Sequence, residues 1–279
     1  MLQWSGSGVS HQGLVRPTNQ DAFFADNHLQ LWAVADGMGG HPGGDVASRL
    51  AIDTLTRTAP GETDRLRGSA EQILSALRGM VESAHHAIVD HTRLRVDLVG
   101  MGTTLTLLHV SSHPCPTASI VHEGDSRAYL WRRGELTQLT RDHSMVEEYV
   151  RQGLLSPAQA LNHPQRHVLS RALGLGPDSD VDVTTERLEA EDVLVLCTDG
   201  LTKMVDDERL AAALMTSTHY TRPPQARRDA LLPGLARPPR ARRDAPLPHP
   251  ETLCRALITA ALQAGGVDNV TVVVVKAQN

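Results

Sequence analysis

Aromatic residues are scarce in this 279-residue chain: Phe, Trp and Tyr together make up 3%. Any core must therefore be filled by Val, Leu, Ile and Ala. Cysteine is nearly absent too. Cys115, Cys197 and Cys254 are odd in number and far apart, which excludes a disulfide framework or a thiolate zinc site and suits a reducing compartment. Basic excess is lacking: the formal net charge is -5, so nucleic acid is not an expected partner. No apolar run approaches a membrane span, and "MLQWSGSGVSHQG" has neither the basic patch nor the apolar stretch of a signal peptide. These absences lead to the expectation of a cytoplasmic, monomeric protein with no membrane partner. The ordinary apolar content of 41% supports one sizeable core.

Along the chain, "HLQLWAVAD" reads as a strand. Apolar positions recur at helical spacing from Val46 to Leu55. They do so again over 63–92, where Ile73, Leu77, Met80, Val81, Ala84 and Ile88 form one stripe. Short strands follow: "TTLTLLHV", "TASIVH", "RAYLWRRGELTQL" with a hairpin signal at "RRGE", and "DVLVLCT". A helix after Asp206, another at 251–263 and the strand "NVTVVVVKA" complete the pattern. Adjacent strands with short connections imply antiparallel sheets, covered by helices. The expected fold class is α+β, a sandwich in a single domain spanning 1–279.

One segment stands outside this plan. "RPPQARRDALLPGLA" (222–236) is followed by "RPPRARRDAPLPHPE" (237–251), an imperfect tandem repeat rich in Pro and Arg. The 222–250 insertion reads either as a flexible, solvated loop or as a basic arm for an acidic partner. Two copies are too few to stack as a solenoid.

Chemistry concentrates in aspartates at strand ends. Asp36 ends "LWAVAD" in front of a glycine-rich bend. Asp199 follows "DVLVLC", Asp268 precedes the last strand, Asp125 sits in "HEGDSRAYLW", and Asp21 precedes Phe23 and Phe24. One Asp-Gly pair is ordinarily just a turn. Five such sites suggest convergence. Converging carboxylates cannot all stay ionised without a countercharge, which a hard divalent cation with oxygen ligands supplies. Two such ions can hold a phosphate and activate a water for in-line attack. Other chemistries lack their motifs. "GMGGHPGG" has no Lys-Ser/Thr ending, Ser126 and Ser144 have no nucleophile elbow, and the helical His85–His86 pair diverges.

The ordered set "RPTNQDAFF", "VADGMGGH", "GMGTTL", "GDSRAYLWRRGELTQLTRDHS", "HPQRHVLSRALG", "CTDGLT" and "GGVDNVTVVVV" resembles the bacterial branch of the metal-dependent Ser/Thr protein phosphatases (PPM family, protein phosphatase type 2C), from about Gly13 to Lys276. The resemblance implies a four-layer α-β-β-α sandwich with two central antiparallel sheets. It also implies Mg/Mn-dependent hydrolysis of phosphoserine and phosphothreonine on proteins by a metal-activated water. Asp36 would bridge two catalytic Mn2+ or Mg2+ ions, Gly37 would give its carbonyl to one, and Asp199 and Asp268 would complete the other. Asp21 and Gln20 would hold metal-bound waters, and Asp125 would help hold a third ion. Arg16 would clamp the substrate phosphate, and Asn269 would orient the Asp268 loop. Residues 142–171 would form a flap beside the cleft. The implied partners are phosphorylated proteins and a cognate Ser/Thr kinase. Two other functions fit the pattern less well: a catalytically silent phosphoprotein-binding module, and a phosphatase of an anti-sigma-antagonist protein. Gln20 stands where some members have Glu. Met38 stands where eukaryotic members have a His proposed as general acid. His41 is therefore the candidate proton donor, or else a turn histidine that shapes the glycine loop.

Overall fold

The computed structural model describes residues 3–38, 43–217 and 247–278. His41 and the greater part of the tandem repeat lie outside the described residues. The strands are β1 (Trp4–His11), β2 (Asp21–Asp26), β3 (Leu31–Asp36), β4 (Leu105–Ser111), β5 (Thr117–Glu123), β6 (Arg127–Arg132), β7 (Glu135–Gln138), β8 (Asp182–Arg187), β9 (Val193–Cys197) and β10 (Val270–Ala277). The helices are α1 (Gly44–Thr58), α2 (Thr63–Leu66), α3 (Ala70–Leu94), α4 (Met145–Arg151), α5 (Pro157–Ala160), α6 (Asp199–Thr202), α7 (Asp207–Ser217) and α8 (Pro250–Gln263).

Two five-stranded sheets form, ordered β1-β10-β9-β6-β7 and β2-β3-β4-β5-β8, with every pairing antiparallel. Their packing explains why so many strands read as unbroken apolar runs. On β3, Leu31, Ala33 and Ala35 face α1 and α3, while Trp32 and Val34 face the other sheet. On β10, Val270, Val272 and Val274 face the α7/α8 side, while Val273 and Val275 enter the space between the sheets. A strand covered on both faces has no polar side to alternate with. The result is the expected α+β sandwich in four layers: helices, sheet, sheet, helices.

Local signals set the helices. A capping box starts α3, with the Ser69 hydroxyl accepting from the Gln72 amide while the Gln72 side chain accepts from the Ser69 amide. The stripe expected over 63–92 is two helices, because the chain turns at 67–69 between α2 and α3. The "RRGE" hairpin forms as expected. Arg133 and Gly134 both have positive φ, matching the twist of β6 and β7.

Residues 142–171 leave the sheet as a protrusion carrying α4 and α5. Its base is closed by Met145 N donating to Val168 O (2.9 Å) and Ser170 N donating to His143 O (2.9 Å). Ser156 caps α5, with Pro157 in the first turn.

The end of the repeat departs from the reading of 222–250 as an insertion. Leu247 is buried in the α7/α8 core, its carbonyl accepts from Lys276 Nζ (3.1 Å), and Pro250 opens α8. The last residues of the second copy therefore belong to the domain. Leu247→Ala should lower the unfolding free energy by about 2 kcal/mol in a urea titration, as expected for truncating a core leucine. An unchanged midpoint would place Leu247 outside the cooperative core.

Candidate metal centre

Strand parity aims the acids. Phe23, Trp32 and Val34 project between the sheets. Asp21 and Asp36 share that parity and pair directly across β2 and β3. They lie at the edge where the inter-sheet core ends. Like charges facing each other in a non-polar setting are unfavourable, so the arrangement needs compensation.

Hydrogen bonds hold the Asp36 corner rigid. Its amide donates to Thr104 Oγ1 (3.0 Å), and its carbonyl accepts from the Thr104 amide (2.9 Å) and Thr103 Oγ1 (2.9 Å). Thr104 Oγ1 is bonded in turn to Ser126 Oγ (2.7 Å), beside Asp125. The "MGTT" segment is thus a brace beneath the acids. Gly37 donates to the Gln20 carbonyl (3.1 Å), and a Cβ there would lie 2.1 Å from the Gly44 carbonyl oxygen. This close backbone approach is what the glycine is for.

Asp21 is buried, and its Oδ2 accepts from Thr198 Oγ1 and Thr271 Oγ1, both at 2.8 Å. Its Oδ1 is also buried and has no hydrogen-bond partner. Burial, above all, pushes the Asp21 pKa up to about 7, with Asp199 and Asp268 adding to the rise and the two threonines opposing it. Burial likewise pushes Asp125 up to about 8, with Asp199 and Asp142 contributing. Asp36 is raised well above the carboxylate range by burial and then by Asp21, Asp199 and Asp125. The mutual influence of these groups shows that the structure brings Asp21, Asp36, Asp125 and Asp199 into one cluster.

Asp268 closes the ring from the start of β10. Arg16 grips it from the side, with Nε 2.8 Å from Oδ1 and Nη2 donating to Oδ2 at 3.0 Å. The Asn269 amide donates to Asp268 Oδ1 (2.9 Å), and Asn269 Nδ2 donates to the Gln12 and Thr18 carbonyls (both 2.8 Å). Its Oδ1 accepts from the Gln20 amide (2.9 Å). Asn269 therefore straps the 12–20 loop, with Arg16 on it, to the Asp268 loop, much as expected. Burial opposes ionisation of Asp268, but Arg16 and Lys203 hold its pKa below the usual range.

Four further residues bear on the site without a sequence motif to mark them. Lys203 forms ion pairs with Asp199 and with Asp268 (3.2 Å to the latter). Its signal was the Asp199–Lys203 spacing of four on a helical turn. Thr198 and Thr271 fix Asp21, and no local pattern marks them. His167, exposed on the protrusion, carries a ring whose protonation the charges of the cleft influence. Partial burial, Lys203 and Arg166 lower its pKa, and Asp199 and Asp268 oppose that. Of the expected site residues, Arg16, Asp21, Asp36, Asp125, Asp199 and Asp268 gather here, with Gln20 and Gly37 at their backbone. His41 lies outside the described residues.

Residues 6–233 match the protein phosphatase 2C family. The chain belongs to the protein phosphatase 2C family. It is 36% identical over 265 residues to the serine/threonine protein phosphatase PstP of Mycobacterium tuberculosis, an alignment covering 95% of this chain and 43% of that protein. The chain thus spans less than half the length of that curated relative. It is 39% identical over 206 residues to the serine/threonine phosphatase stp of Listeria monocytogenes, covering 73% of this chain and 80% of the relative. Among solved structures, the PstP catalytic domain in complex with two manganese ions is similar at 33% identity and a TM-score of 0.76, covering 100% of both chains. The two antiparallel sheets and their helical layers match this phosphatase 2C architecture.

Raised carboxylate pKa values mean that folding takes up protons. Stability from these groups is present below the ordinary carboxylate range and is lost as pH rises through about 7 to 8. Asp36→Asn removes one buried charge. It should therefore raise the melting temperature of chelator-treated protein relative to wild type, by a margin that grows from pH 5 to pH 8. With Mn2+ present the order should invert. A variant less stable than wild type in chelator at pH 8 would contradict the crowded-charge account.

Proposed function

We propose that the chain hydrolyses phosphoserine and phosphothreonine on proteins with Mn2+ or Mg2+ as its cofactor. The observation that carries this is the buried carboxylate cluster with the unpartnered Oδ1 of Asp21 at its heart. The donor set is hard carboxylate oxygen, with no thiolate or imidazole ligand among the described residues of the cluster, which suits magnesium or manganese. Asp36, Gly37, Asp199 and Asp268 are the residues that would hold two ions, with Asp21, Gln20 and Asp125 around them. When bound, the ions supply positive charge that makes a water nucleophilic and polarises the phosphoryl group. PstP, with two manganese ions in its catalytic domain, supports the same count here.

The remaining steps belong to side chains. Arg16 stands half-exposed at the rim, its guanidinium aligned by Asp268. This planar fork can meet two phosphate oxygens, which places the phosphorus over the cluster. The Asn269 strap keeps that fork in register with Asp36. Water attack releases phosphate and a serine or threonine oxygen that needs a proton, and His41 is assigned as the donor on sequence grounds alone. The protrusion at 142–171 would act as a flap that selects among phosphoproteins.

A silent phosphate-binding module fits less well. An acidic floor repels phosphate unless divalent cations are bound, and a module that only shields phosphosites gains nothing from such a floor. A phosphorylated anti-sigma-antagonist would be one phosphoprotein substrate among others. The natural opponent would be a Ser/Thr kinase that makes the substrate, and both would act in the cytoplasm. Among the described residues no helix is long and apolar enough to cross a membrane.

Hydrolysis of p-nitrophenyl phosphate and of a phosphothreonine peptide should require Mn2+ or Mg2+ and stop with chelator. Arg16→Ala should raise KM about tenfold or more with a smaller change in kcat, and Arg16→Lys should recover only part of the loss. Chelator-resistant turnover, or an unchanged KM for both substrates, would refute this reading.

A further inference from the structure

Lys203, which no motif marks, bridges two acids of the cleft. It follows α6, and its backbone amide closes the turn by donating to the Asp199 carbonyl (2.8 Å). Its ammonium pairs with two acids that reach it from different directions: Asp199 after β9, and Asp268 before β10. Only 26% of its side chain is exposed. A lysine side chain partly covered in this way keeps its charge because neighbouring carboxylates offset the hydration it loses. Here that charge comes from Asp199 and Asp268, and its influence extends to Asp36 and Asp125. The cluster's other cation, Arg16, spends its contacts on Asp268 at the rim.

An ammonium is a compact point charge with three donors, the side chain closest in character to a bound metal cation. An oxygen of Asp199 that accepts from it is a weaker donor to a divalent ion, and a divalent ion set beside the ammonium is repelled. A third ion, expected from the resemblance at Asp125, would need carboxylate partners, and Asp199 is the cluster neighbour with the largest influence on Asp125 after burial. That ion would have to share Asp199 with Lys203.

We propose that the Lys203 ammonium is a resident cation of the cleft, which competes with divalent ions for Asp199 and so limits both the number and the affinity of the ions this chain takes up. The inference rests on the metal-dependent reading above. It makes Lys203 a positioning residue whose charge acts on the ligand set, with no contact to the substrate required.

The test is equilibrium binding of Mn2+, with free ion read by electron paramagnetic resonance, together with thermal melting in chelator and in saturating Mn2+. The proteins compared are wild type, Lys203→Met, which keeps an unbranched stem without charge, Lys203→Arg, and Asp36→Asn. Lys203→Met should bind one more Mn2+ than wild type, or bind the same number roughly tenfold more tightly, as expected for removing a unit charge within about 4–6 Å. It should melt below wild type in chelator, where the acids have lost their countercharge. It should also gain more than wild type from Mn2+. Lys203→Arg should bind Mn2+ as wild type does. An isotherm for Lys203→Met that superimposes on wild type would overturn the proposal, as would equal destabilisation with and without Mn2+, the mark of a packing role. The metal reading fails separately: wild type and Asp36→Asn would then share one isotherm. Loss of Mn2+ in Asp36→Asn with no change in Lys203→Met would sink only the role of Lys203.

Discussion

Two carboxylates, Asp21 and Asp36, face each other at the edge of a gap between two sheets, and the surroundings are arranged to tolerate them. The β2–β3 register forces the pair together. The parity that sends Phe23, Trp32 and Val34 into the apolar space sends these two acids to its rim. Thr198 and Thr271, at the ends of β9 and β10, reach across from the other sheet to bond Asp21. Thr103 and Thr104 hold the corner of Asp36, and Lys203 and Arg16 bring positive charge to the outer acids. Each device fixes an acid in place while leaving the cluster short of cations. This is the strain expected of a site built to receive a divalent ion.

The elements that were plain in the sequence are those whose burial leaves a periodic mark. The α3 stripe, the valine run of β10 and the hairpin at Arg133–Gly134 could all be read directly. β1 could not. "WSGSGVSH" looks like a loop, yet it pairs along its full length with β10. Its Gly8 is small because the Phe23 ring stands where a side chain would be, 2.3 Å from an added Cβ. Sheet-to-sheet packing thus removed the β-branched residues that would have announced the strand. β8 was missed for a different reason. It is an edge strand, and "DVTTER" carries the polar residues that edges favour. The four-layer count came from the family resemblance, because no local pattern states how sheets stack.

The same contrast holds at the site. The five aspartates were legible because each lies at a strand end or a strand-adjacent turn, three of them beside glycine, and these are local features. Their convergence depends on pairings as distant as that of Asp21 with Thr271. Lys203 was overlooked because a lysine just after a short helix is ordinarily a solvated residue, and only the approach of Asp268 makes it a countercharge between two acids. The last residues of the tandem repeat read as part of a loop because they share its Pro-rich composition. Leu247 sits in the core and Pro250 begins a helix.

The central claim is that this acidic cluster is a divalent metal centre, and anomalous diffraction from crystals grown with Mn2+ tests it most directly. The account predicts anomalous peaks bridged by the Asp36 carboxylate and flanked by Asp199 and Asp268, with the Lys203 ammonium still in contact with Asp199. Crystals that show manganese only elsewhere on the surface, with Asp36 contacting nothing but protein, would contradict it.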